Sequence, residues 1–292
     1  VDRGSGARAG RSRVSPGGRR LVSSAVGGLT AAAAILVVCP LLLIFGFLLY
    51  QGVSALNPDF FLHLPKPVGE AGGGVANAIV GSLIVIGLAV AVGLPIGILG
   101  GVYLAESSDR RLPWALRFVA DVLNGVPSIV FGIFAYTVVV IPMRRFSALA
   151  GGFALGLILI PIVLRTTEEM VRLVPSALRE AGLGLGLPEW MVSLRIVIPA
   201  ARAGIITGVM VAVARIAGET APLLFTALGN RFWHRGLDQP IATLPLQIYA
   251  YAIAPYDDWH RQAWAGALVL ITLVFLASLA ARVATRGRTL AR

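Results

Sequence analysis

Two pairs of opposite charges interrupt otherwise apolar sequence. Arg215 stands about halfway along the run Ala203–Leu228, in VARIAGETAPLL, and Glu219 follows four residues later, one helical turn on and on the same face. Arg165 and Glu168 lie three apart at the end of another apolar run, in LRTTEEM. In a membrane, an ionisable group near the bilayer centre costs at least about 2.5–3.5 kcal/mol, so each charge requires a partner or a water-filled path. One reading is an internal salt bridge in each run that only holds helices together; Arg165 could also reach the interface along its aliphatic stem. The other reading is a path for an anion. A guanidinium is a planar fork that grips a tetrahedral oxyanion through two parallel charge-assisted hydrogen bonds. A carboxylate nearby would hold the arginine while the path is empty and could accept a hydrogen bond from a protonated anion such as hydrogen phosphate. Sulfate, fully ionised at neutral pH, has no such proton, so the arrangement would favour phosphate over sulfate.

A second constellation is Glu180–Pro199, EAGLGLGLPEWMVSLRIVIP, a long Gly-rich connection between two apolar runs. Pro175 and Ser176 predict a helix start, with Pro in the first turn and Ser as cap. Leu178, Ala181, Gly182 and Leu185 then recur at helical spacing on one face, and Gly184, Gly186 and Pro188 end the helix. The expected product is a short helix with an apolar, small-residue face that a partner's groove can receive, with Glu180 directed at a basic partner or capping a neighbouring helix. A merely interfacial helix is the plainer alternative, but this face is too short and Gly-rich for a good lipid anchor.

The elements that carry these residues follow from composition. Hydrophobic residues make up 57% of the 292 and charged residues 13%, against about 25% charged in soluble domains. Six runs are long enough to cross a bilayer as helix: near Leu21–Tyr50, Val75–Ala105, Leu116–Pro142, Ala148–Glu168, Ala203–Leu228 and Ala263–Val283. Continuous apolar runs exclude the alternating strands of a barrel, and a helix satisfies its own backbone in lipid. The predicted fold is therefore all-α, a polytopic membrane protein of six transmembrane helices. Residues 1–20 read as a disordered basic arm, 21–285 as the membrane domain with a cytoplasmic loop over 171–200, and 286–292 as a tail.

Arginine placement sets the expected orientation. Arg3, Arg8, Arg11, Arg13, Arg19 and Arg20 precede the first run, and Arg282, Arg286, Arg288 and Arg292 follow the last. Both termini are expected in the cytoplasm, a parity that six spans satisfy. The turn with Arg110, Arg111 and Arg117 then also faces inside, as does the loop with Arg172, Arg179, Arg195 and Arg202. Arg144 and Arg145 are a local exception. The first run is about twice the length of a signal-peptide core, which favours a signal-anchor-like span over cleavage. An Arg-rich arm can also be a nucleic-acid tail, but beside a membrane span it reads as an orienting cluster, and no nucleic acid is expected as partner. Trp233, Trp259, Trp264, Tyr249, Tyr251 and Tyr256 read as an interfacial aromatic belt, or alternatively as a docking surface for an external protein.

Several function classes are disfavoured. The one lysine, Lys66 in HLPKPVG, belongs to no phosphate loop of the GxxxxGK[ST] type, so no such ATPase motor is expected in this chain, nor a cofactor of its own. His63, His234 and His260 lack metal-ligand spacing, and Ser128 has no histidine in any run to activate it. Cys39 is the single cysteine, so no disulfide within the chain is possible.

The segment Glu180–Pro199 resembles the EAA-type coupling loop of ATP-binding-cassette (ABC) import permeases. Glu180, Ala181, Gly186, Ile196 and Pro199 fall on that family's positions, and Gly182 stands where a second Ala is usual. The segments NGVPSIVFG (Asn124–Gly132), LRTTEEM and RIAGETAPLLFTALG (Arg215–Gly229) are similar to permease subunits of the phosphate-specific (Pst) ABC importer, the last most like the A-type subunit. The resemblance implies a MetI-like permease fold in the bacterial cytoplasmic membrane and one half of a translocation pathway for inorganic phosphate. It implies a related C-type permease as partner, two copies of a cytoplasmic ATPase carrying ATP and Mg, and an extracytoplasmic phosphate-binding protein. Arg165, Glu168 and Arg215 match the positions linked with the phosphate path, and Glu219 lies in the matching motif. Another oxyanion, sulfate or molybdate, is the alternative cargo.

Overall fold

The computed structural model describes residues 16–67, 70, 72–107, 109 and 111–286. Arg3, Arg8, Arg11, Arg13, Arg110, Arg288 and Arg292 lie outside the described residues, and with them most of the expected arm and tail. Two compact units are present, Val1–Tyr50 and Gln51–Arg292. Most of α1 (Pro16–Val53) belongs to the first. It carries no charge after Arg20, which leaves an uninterrupted apolar helix long enough to span.

In the second unit, α2 (Pro58–Leu62) is capped by Asn57, whose side chain accepts from the Phe60 N–H at 2.7 Å. The second span is α3 (Ala76–Glu106). The third is not the straight helix expected over Leu116–Pro142. It is α4 (Arg111–Gly125) followed by α5 (Ser128–Ala135), which continues through a π turn (Tyr136–Val140) into α6 (Ile141–Met143); the two halves meet at 101°. Pro127 has no N–H to extend α4, and it disfavours helical backbone at Val126 before it.

The fourth span, α7 (Ala148–Arg172), is capped by Ser147, which accepts from the Ala150 N–H at 3.1 Å. Beyond it come α8 (Ser176–Gly184), α9 (Glu189–Val192), a second π turn (Ser193–Val197) and α10 (Ile198–Ala217). The segment from Glu189 to Ala217 is one continuous helix. The fifth span therefore starts inside the expected loop and stops at Gly218, well short of Leu228. After it lie α11 (Ala221–Leu224), α12 (Leu244–Ala252) and the last span, α13 (Asp257–Arg286). Among the described residues five helices are long and apolar enough to cross a membrane, and the bent pair makes a sixth crossing if counted as one. The chain is an all-α, multi-pass membrane protein.

The core that positions the site is the contact of α3 with α7. Gly93, Gly97 and Gly101 recur every four residues and line one face of α3. A Cβ at Gly97 would lie 2.8 Å from the Val163 Cβ, and one at Gly101 would lie 2.5 Å from the Leu164 carbonyl oxygen. Only residues without side chains permit so close an approach, the small-xxx-small device of membrane helices. It buries α7 along most of its length and brings the α3 backbone against the turn that carries Glu168.

Candidate functional site

The expected pair Arg165–Glu168 forms, with Arg165 Nη1 2.9 Å from Glu168 Oε2. It is part of a larger cluster. The Glu168 side chain is 2% exposed and also takes Arg117 Nε at 2.5 Å and Arg172 Nη2 at 2.9 Å. Arg117 donates a second bond to the Leu104 carbonyl at 2.6 Å, the backbone contact that the glycine face of α3 makes possible. Arg165 Nε lies 2.9 Å from Asp121 Oδ1 on α4. Arg117, Asp121 and Arg172 are not foreseen from sequence as members of this site. Arg117 and Arg172 read only as orienting charges, and the available signal for the other was the four-residue spacing of Arg117 and Asp121, one turn of α4.

Arg215 and Glu219 meet a different environment. They line a cavity of about 230 Å³ with Asn124, Pro127, Ser128 and Ile162 among its walls. Gly218 caps α10, so Glu219 stands beyond the helix end and not one turn further along the same face. That break accounts for the missing bridge: no ion pair joins Arg215 to Glu219 among the described residues. The broken third span supplies the opposite wall, because the bend at Gly125–Pro127 opens the backbone there. The two sites are neighbours along the same helices. Leu123 of α4 and Ile162 of α7 line the cavity, two residues after Asp121 and three before Arg165.

The segment after α7 forms a short helix, as expected, but its details differ. Pro175 is the N-cap and Ser176 the first helical residue, with no side-chain cap bond. The apolar residues do not share one exposed face. Gly182 is buried, and a Cβ there would meet Ile196 Cδ1 at 2.7 Å and Val192 Cγ2 at 3.0 Å. Leu178, Leu183, Leu185 and Trp190 are exposed instead, together with Glu180 and Ala181. Gly186 has φ 78°, the left-handed backbone that ends α8. Ile196 and Pro199 lie in the π turn and the first turn of α10, so they connect the short helix directly to a span. Glu106, Arg179 and Ser193, which sequence reasoning left out of the site, join there. Arg179 Nη1 pairs with Glu106, Ser193 Oγ donates to Glu106 Oε2 at 2.7 Å, and Arg179 Nη2 donates to the Val171 carbonyl at 3.0 Å.

Part of the aromatic group around the start of α13 packs together. Tyr251 is buried and stands 4.7 Å from Trp259, ring centre to ring centre, and the Arg231 guanidinium lies 5.4 Å over the Trp259 ring. Burial pushes the Tyr251 phenol above its usual pKa, against smaller opposing pulls from its hydrogen bond with Gln247 and the charge of Arg231. Trp233 and Tyr249 remain exposed. Among the described residues no group of His, Cys, Asp and Glu is arranged to hold a metal ion.

The chain thus has membrane-crossing helices, a charged seam between α4 and α7, and a short helix on the connection from α7 to α10, and the comparisons place that arrangement among membrane permeases. The model of the family "Binding-protein-dependent transport system inner membrane component" matches residues 97–289. The phosphate transport system permease protein PstA of Yersinia pestis is 47% identical over 234 residues, covering 80% of this chain and 79% of that one. The protein of the same description from Xylella fastidiosa strain Temecula1 is 45% identical over 266 residues, covering 90% and 92%. The chain belongs to the binding-protein-dependent transport inner membrane components and, within them, to the PstA group of permeases. An inward-facing structure of the MetNI methionine ABC transporter superposes with a TM-score of 0.59 at 17% identity, over 73% of this chain and 94% of that one. It shares the fold.

Proposed function

We propose that this chain forms half of the translocation pathway of an ATP-driven importer of inorganic phosphate. The observation that carries this reading is Arg215. It is exposed on the isolated chain, lines a polar cavity, and has no carboxylate partner among the described residues. A guanidinium facing lipid would be costly, which favours a face turned to water and to a second permease. Its free fork suits an oxyanion, and relatives bearing the phosphate description are 45–47% identical. Glu219 lines the same cavity, able to accept a hydrogen bond from hydrogen phosphate. Arg165 and Glu168 are the next station along α4 and α7.

In this reading a C-type permease supplies the other half of the path, and a phosphate-binding protein delivers the anion from outside. Of the two ATPase subunits, holding ATP and Mg, one receives α8 from the cytoplasm, with Glu180, Leu178 and Leu185 exposed at it. Both termini lie in the cytoplasm of a bacterial cell. The test is ATP hydrolysis by the complex reconstituted with its binding protein. Phosphate should stimulate it and sulfate or molybdate should not; stimulation by another oxyanion alone would replace the cargo.

A further inference from the structure

We propose that Asp121 is an exchangeable stand-in for the transported anion, a carboxylate resting on the edge of Arg165 that the oxyanion takes in transit; this rests on the reading of Arg165 as part of the phosphate path. Arg165 is held by two acids on two edges of its guanidinium, Asp121 at Nε and Glu168 at Nη1, each at 2.9 Å. The acids are not equivalent. The Glu168 side chain is 2% exposed and shared with Arg117 and Arg172 as well as Arg165, so its departure would break three ion pairs at once. The Asp121 side chain is 55% exposed and pairs, among the described residues, with Arg165 alone. It can swing into water at little cost.

Charge favours the exchange. Three arginines face two carboxylates, an excess of one positive charge. When Asp121 moves off, the excess rises to two, matched to a phosphate anion. A carboxylate and a phosphate present the same paired oxygens to a guanidinium edge. Position favours it too. Asp121 lies on the stretch of α4 that leads into the bend, two residues before Leu123, and Arg165 lies three residues after Ile162, both of which line the cavity of Arg215. A path must bind its ion well enough to admit it and weakly enough to release it. A tethered competitor on the second station provides that weakness, because occupancy by Asp121 lowers apparent affinity in proportion to the fraction of forks left open.

The test is equilibrium binding of labelled inorganic phosphate to the complete permease–ATPase complex in lipid nanodiscs, without binding protein, alongside uptake in proteoliposomes with it. Asp121→Asn should bind phosphate about tenfold tighter than the native complex, as expected if the edge is closed about nine-tenths of the time, and its uptake turnover should fall. Asp121→Glu should stay near native in both. The gain should vanish in Arg165→Gln plus Asp121→Asn. Binding no tighter in Asp121→Asn overturns the proposal, as does a gain that survives in the double variant. Failure of Asp121→Asn to assemble also overturns it, since Glu168 still holds Arg165 and a stand-in has no structural duty. Native uptake and binding in Arg165→Gln alone is a separate result, which removes Arg165 from the path and the underlying reading with it.

Discussion

Glu106, the last residue of α3, and Arg179 of α8 form an ion pair, and Ser193 in the π turn donates to the same carboxylate at 2.7 Å. Arg179 also holds the Val171 carbonyl near the end of α7. One acid thus gathers the ends of two spans, the short helix α8 and the start of a third span. The side chains are 25% and 21% exposed, so the pair is screened less than a surface bridge. Gly182 adds the packing, seating α8 on Val192 and Ile196. These polar and apolar contacts together tie α8 to α3 and to the start of α10.

Glu106→Gln should therefore uncouple transport. It loses a charge-assisted pair worth about 1.5–3 kcal/mol, while the exposed face of α8 is untouched. The ATPase should still copurify, and phosphate moved per ATP hydrolysed should fall several-fold. Ser193→Ala should do the same more weakly. Both rates measured on one proteoliposome preparation decide the matter; an unchanged ratio in Glu106→Gln removes the link.

Much of this was legible in the sequence, unevenly. The spans were, because apolar length is a local property that lipid enforces. The coupling helix was, because Pro175, Gly184, Gly186 and Pro188 punctuate it. The bend at Pro127 was present as a residue but not as an angle, since prolines such as Pro95 and Pro161 sit inside unbroken helices. The fifth span was placed too late because apolar sequence continues past Gly218, where the backbone turns. Arg117 and Asp121 escaped because their role depends on which face of α4 meets α7, a fact of packing that one segment does not contain. Glu106 was hidden likewise, as the ordinary polar end of an apolar run.

Glu168→Ala should be the most damaging single change in the charged cluster. It takes away the acid that Arg117 and Arg165 share, leaving Arg117 with the Leu104 carbonyl and Arg165 with Asp121, and each lost charge-assisted bond costs about 1.5–3 kcal/mol. Arg172, with 53% of its side chain exposed, should matter far less, with Arg172→Ala within about 1 kcal/mol of native. Thermal melts of the purified complexes would show the contrast. Equal shifts for the two would mean that Glu168 is no hub.

At the coupling helix, conformation and recognition should separate. Gly186 has a positive φ and open space where a Cβ would stand, so Gly186→Ala should cost only the left-handed penalty, about 1–2 kcal/mol locally. Gly186→Asn should cost less, since Asn visits that region more readily. Glu180→Lys leaves the fold alone, because Glu180 is exposed, yet it reverses the charge offered to the ATPase. Copurification should fall with Glu180→Lys and hold with Gly186→Asn. Intact docking and uptake in Glu180→Lys would remove Glu180 from the interface.

The sharpest case is Arg215. Lysine keeps the charge and loses the fork, so Arg215→Lys should assemble normally while labelled phosphate uptake drops at least about tenfold, the loss of one charge-assisted bond. A residue that merely neutralised Glu219 would tolerate that exchange, and the absence of a bridge between the two among the described residues already points away from such a role. Glu219→Gln keeps the cavity's shape and tests the acceptor for hydrogen phosphate: discrimination against sulfate should narrow while assembly is unchanged. Removing both charges, with Arg215→Met and Glu219→Met, gives the decisive comparison. An ion pair kept for structure can be replaced by apolar side chains at little cost, so a structural pair predicts near-native stability and near-native uptake. A path predicts near-native assembly with uptake lost, because no group remains to take the anion from water. Uptake normalised to assembled complex separates the two, and a double variant that still transports would return Arg215 to the scaffold.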